Sequence, residues 1–74
     1  MDRALAIWTI YDNPADFPGL FVVRKWLVVD GEARATDVMF TGATLQEVRD
    51  QVPPGLHLMP RQPGDEPCIV ECWI

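Results

Sequence analysis

The stretch Ile7-Trp8-Thr9-Ile10-Tyr11-Asp12-Asn13-Pro14-Ala15-Asp16-Phe17-Pro18-Gly19-Leu20-Phe21-Val22-Val23-Arg24 decides how this chain folds. Two runs rich in β-branched and aromatic residues flank a turn built from Asp, Asn, Pro and Gly. That is the signature of two strands joined by a tight, rigid connection. The first strand is expected over Leu5–Tyr11 and the second over Leu20–Val29. Asp30-Gly31 then supplies a hairpin turn, because glycine accepts the positive φ that the two-residue loop demands. Ala33–Phe40 returns as a third strand, which makes an antiparallel meander.

The pattern then changes period. Thr44-Leu45-Gln46-Glu47 is a capping box, in which the Thr hydroxyl and the Glu carboxylate satisfy backbone donors at a helix start. Leu45, Val48 and Val52 form one apolar stripe among polar neighbours, and Pro53-Pro54-Gly55 ends the helix after about two turns. A helix this short persists only by packing that stripe against the sheet. Leu56–Met59 reads as a short fourth strand. Gln62–Pro67 reads as a turn, and Cys68–Ile74 as the last strand. The expected fold is α+β: one small domain over residues 1–74, with β-β-β-α-β-β order and a single helix on one face of an antiparallel sheet.

One short helix leaves the other sheet face uncovered. Alternation along the last strand gives a wholly apolar set, Cys68, Val70, Cys72 and Ile74, which is expected to lie under the helix. Ile69, Glu71 and Trp73 would then point away from it. In the second strand Val22, Arg24, Trp26 and Val28 form the matching mixed set, opposite Phe21, Val23, Leu27 and Val29. This reading places Arg24, Trp26, Glu71 and Trp73 together as a candidate interaction surface, since Trp and Arg most often carry interface energy. The competing reading is local packing, with Arg24 paired to Glu71 or to an acidic loop residue. Alternation alone does not assign Trp8 to either face.

Composition narrows the function classes. The 74 residues are 49% hydrophobic with three Trp and three Phe, which suits a packed globular unit and excludes disorder. A chain of this size buries only about 60% of its unfolded surface. Its core supplies about 3–5 kcal/mol net unless a disulfide, a metal or a second subunit helps. Cys68 and Cys72 lie four apart on a strand, about 13 Å by strand rise, beyond the roughly 7 Å that a disulfide spans. They are read as small buried hydrophobes in a reducing, cytoplasmic setting. No signal peptide or membrane span is expected.

Eleven acidic against six basic residues give a net charge of −5. The bases are scattered, and adjacent Arg24 and Lys25 point to opposite strand faces, which argues against a nucleic-acid surface. Chemistry is sparse. His57 with Cys68 and Cys72 does not make the four convergent ligands of a zinc site. Neither cysteine has the electropositive setting of a nucleophile. The carboxylates Asp12/Asp16 and Asp65/Glu66 read as turn residues, and no phosphate-binding loop occurs. No cofactor is implied, and no enzyme is expected.

The run Ile7–Asp12, with Pro14, Asp16-Phe17-Pro18 and Phe21–Arg24, resembles a group of small uncharacterised proteins of bacteriophages and proteobacterial genomes. Pro60–Asp65 and the ending Ile69-Val70-Glu71 with Trp73-Ile74 are similar to the same group. The resemblance covers most of the chain and carries no activity that would name a site. It implies a phage or prophage context. The residues themselves point to a non-enzymatic interaction module, binding a protein partner or a second copy of itself as a homodimer. The alternative is an acidic small-ligand-binding or mimic protein that occupies a basic surface on a host enzyme.

Overall fold

A computed structural model describes residues 5–60 and 67–74. Five strands and one helix follow in the expected order: β1 (Leu5–Asp12), β2 (Phe21–Val29), β3 (Glu32–Gly42), α1 (Leu45–Arg49), β4 (Leu58–Pro60) and β5 (Ile69–Trp73). The strands form one antiparallel sheet in the order β3-β2-β1-β5-β4. β1 therefore lies at the centre, and its Ile10 is fully buried, as are Val23 of β2 and Val48 of α1. The proposed turn over Gln62–Pro67 lies outside the described residues except for Pro67.

The β2–β3 hairpin forms at Asp30-Gly31, both with positive φ (52° and 80°), as the tight turn requires. Further along, the three residues Thr36–Val38 of β3 face Lys25 alone. The Thr36 hydroxyl donates to the Lys25 carbonyl at 2.8 Å and accepts the Val38 N–H at 3.1 Å, so the irregularity is satisfied locally.

The capping box closes as its sequence indicates. Thr44 Oγ1 accepts the Glu47 N–H at 3.2 Å, and Glu47 Oε2 accepts from the Ala43 N–H at 2.7 Å. Val48 is fully buried, and Leu45 and Val52 pack beside it against Trp8, Ile10 and Val23. Fully burying a side chain such as Val48 stabilises the fold by about 1.5–3 kcal/mol, and the partial burial of Leu45 and Val52 adds to what holds a five-residue helix in place. Gly42 permits the close approach of helix and sheet. A Cβ there would lie 2.9 Å from the Cβ of Glu47 and 3.3 Å from Cγ1 of Val48.

Trp8 belongs to the helix-covered face, 7% exposed, with the Lys25 ammonium 5.7 Å above its ring. The expected assignment of β5 is reversed by a bulge. Ile10 pairs with Glu71, yet Tyr11 pairs with Ile69, so β5 spends one extra residue, Val70. An extra residue inverts the alternation beyond it. Glu71 and Trp73 consequently turn under the helix, opposite Ile10 and Trp8, while Val70 also packs on that core. Cys72 turns to the other face, where its thiol lies 3.7 Å from Thr9 Oγ1. Both cysteines are half-buried and neither forms a disulfide.

Candidate interaction face

The two faces of the sheet are built from similar residues and finished differently. On the covered face, Glu71 is 4% exposed and fully engaged. Its Oε1 accepts from Arg49 Nε at 3.1 Å and Nη2 at 2.5 Å, and its Oε2 accepts from Trp73 Nε1 at 2.6 Å. Arg49 stands on α1, so this triad ties the helix to β5. Of the four residues grouped by sequence reasoning, Glu71 and Trp73 thus form a structural clamp under the helix and do not share a surface with Arg24 and Trp26.

Arg24 and Trp26 lie on the helix-free face, as expected. Register places Ile7 beside Trp26 beside Ala35, and Leu5 beside Val28 beside Ala33. These make an apolar strip that no described helix covers. Leu5 is 52% exposed. Arg24 sits between Thr9 and Met39. Its Nη2 meets the Met39 sulfur at 3.4 Å and Asp16 Oδ2 at 3.7 Å. Pairing of Arg24 with an acidic loop residue is therefore realised in a loose form, and pairing with Glu71 is not.

The β1–β2 turn folds over one end of this face. Asn13, with φ of 54°, accepts the Gly19 N–H on its Oδ1 at 2.6 Å, and its own N–H donates to the Leu20 carbonyl at 2.9 Å. The side chain that closes the turn is thus Asn13, one place beyond the Asp12 expected to start it. Phe17 N–H donates to the Pro14 carbonyl at 3.0 Å, and Pro14 is buried. Between turn and sheet lies a cleft of about 370 Å³ lined by Tyr11, Pro14, Asp16, Val22, Arg24 and Trp26. Val22 is 2% exposed on this side, which shows how closely the turn caps it. Sequence reasoning missed Tyr11, Pro14 and Met39. The proline-stiffened turn was the available signal, because a rigid loop that cannot extend away must lie on the sheet.

A second cavity of about 290 Å³ opens between the helix end and the sheet, against Arg49, Val52, Pro54, Leu56 and Trp73. At that edge Leu58 and Met59 of β4 are 48% and 42% exposed. His57 is exposed, and its backbone exchanges hydrogen bonds with Ile74 at 2.7 and 3.0 Å. Among the described residues no three His, Cys, Asp or Glu side chains converge as a metal site. No helix among them is long and apolar enough to cross a membrane. Asp65 and Glu66 lie outside the described residues. No protein family, curated protein or solved structure compared with this chain matches it.

Proposed function

We propose that this chain is a protein–protein interaction module that self-associates through the helix-free face of its sheet. The observation that carries the reading is the strip of Leu5, Ile7, Trp26, Val28, Ala33 and Ala35, which no described helix covers. Stability supports it, since the fully buried apolar side chains of the described residues are few: Ile10, Val22, Val23 and Val48. A two-fold interface would bring one Trp26 strip against its copy and add apolar burial where the single chain has little.

The test is molar mass by light scattering across a hundredfold concentration range. Wild type is expected to pass from monomer to dimer, and Trp26→Ser to remain monomeric with an unchanged far-ultraviolet dichroism spectrum. A wild-type chain that stays monomeric throughout overturns the proposal.

A second reading draws on charge. Every described acid except Glu71 is exposed, including Asp12, Asp16, Asp30, Glu32 and Asp37. Such a surface suits docking on a basic patch of a host enzyme, as an acidic mimic does. That binding would weaken steeply as salt shortens the Debye length from about 30 Å at 0.01 M to about 8 Å at 0.15 M. Self-association through an apolar strip would not, and this difference separates the two readings.

A further inference from the structure

We propose that the cleft between the β1–β2 turn and the helix-free face binds a small aromatic carboxylate. The Arg24 guanidinium takes the carboxylate, and Tyr11 and Trp26 flank the ring.

The argument begins with the donors of Arg24. A guanidinium carries five N–H donors in a planar fork that matches a carboxylate. Among the described residues this fork meets a thioether sulfur at 3.4 Å, a weak acceptor, and one carboxylate oxygen at 3.7 Å, beyond hydrogen-bond length. Arg49, on the other face, shows what a satisfied guanidinium looks like here, with two donors on one oxygen at 2.5 and 3.1 Å. Arg24 is 31% exposed along its side chain, so its donors are partly desolvated yet reachable.

The surroundings suit a flat apolar body. The cleft volume, about 370 Å³, lies within the range of small-molecule sites, roughly 300–1,000 Å³. Its walls include two aromatic rings, a buried proline, Val22, Ala15 and Cys68. The Asn13–Gly19 hydrogen bond and Pro14 hold the turn in place before any ligand arrives, so little ordering cost remains to be met on binding. Asp16 sets the charge that fits. It is 64% exposed and loosely held, so one incoming carboxylate can replace it beside Arg24. A doubly charged phosphate would meet Asp16 as a nearby like charge, and among the described residues no second cation lines the cleft to offset it. The cleft therefore selects a planar monoanion.

Titration of the ¹⁵N-labelled protein with benzoate, benzamide and inorganic phosphate tests this. Benzoate is expected to cause saturable shift changes in the millimolar range, confined to Tyr11, Ala15, Asp16, Val22, Arg24 and the Trp26 indole. Benzamide, which lacks the charge, should bind about tenfold more weakly, and phosphate should not saturate. Arg24→Gln should lower benzoate affinity about tenfold. Asp16→Asn, at an exposed position that leaves folding intact, should raise it about two- to fivefold by removing the competing carboxylate. The proposal is overturned by non-saturating benzoate shifts, by benzamide or phosphate binding as tightly, or by Asp16→Asn leaving affinity unchanged. Trp26 belongs both to the cleft and to the proposed dimer strip, so the titration is run at a concentration where the mass is that of a monomer; benzoate binding, read from shifts, and dimer formation, read from mass, then succeed or fail separately.

Discussion

Each face of this sheet carries a tryptophan, an arginine and an acid, yet the two sets behave as different objects. Under the helix, Glu71 is buried and accepts from both Arg49 and Trp73, so every partner is in place. On the bare face, Arg24 meets Asp16 at 3.7 Å beside a Trp26 that donates to neither. The chemistry of the residue types is the same, and what differs is how complete the hydrogen bonding is. A complete set is a clamp and resists change. A loose set retains donors for something else.

That contrast is broken or sharpened by substitution. The largest effect is expected at Glu71→Ala, which strands a part-buried guanidinium and the indole N–H together. A loss of about 3 kcal/mol in urea unfolding is expected, at the low end for a buried pair because Arg49 is 39% exposed. A loss below about 1 kcal/mol would remove the distinction between clamp and loose set. Gly42→Ala comes next. The new Cβ must push Glu47 and Val48 away from the sheet, at a cost of about 2 kcal/mol, and heat denaturation followed by dichroism would register it. Thr44→Ala removes the helix cap for about 1 kcal/mol, measurable as a lower urea midpoint. The smallest loss is expected at Arg24→Gln, within about 0.5 kcal/mol, because a loosely paired and partly exposed arginine contributes little to folding. If that variant unfolded as readily as Glu71→Ala, Arg24 would be a second clamp.

The fold was legible in the sequence wherever a signal is local. The Asp30-Gly31 hairpin depends on two residues that tolerate positive φ, and the helix on a Thr–Glu cap with a three-residue stripe. Each is contained within about ten positions and each formed where expected. The β1–β2 turn was legible for the same reason, with Asn13 in place of Asp12 as its closing side chain. Face assignment in β5 was not legible. It depends on Val70 being an extra residue against β1, and nothing in Ile69-Val70-Glu71-Cys72 signals this, since the bulge is set by pairing with a distant strand. Alternation therefore grouped Glu71 and Trp73 with Arg24 and Trp26. Apolarity misled as well. Cys68, Val70, Cys72 and Ile74 looked like the buried set, while Glu71 reaches the interior only because Arg49 arrives there from the helix. Strand order was equally hidden, because the partner of β1's second edge comes from the far end of the chain.

The central position of β1 also governs how the molecule comes into being. One edge of β1 pairs with β2, its neighbour in sequence, while the other waits for β5, with Thr9 and Cys72 63 positions apart. The meander β1–β2–β3 can assemble from nearby contacts, but the sheet closes only after the intervening chain has been gathered in. Loop closure over that distance is entropically costly and slows folding. During synthesis, the edge of β1 that bears Trp8 and Ile10 is left without its partner until the last strand is made. This is the interval in which a newly made chain is most exposed to mispairing with its siblings, at a strand that later pairs along both edges.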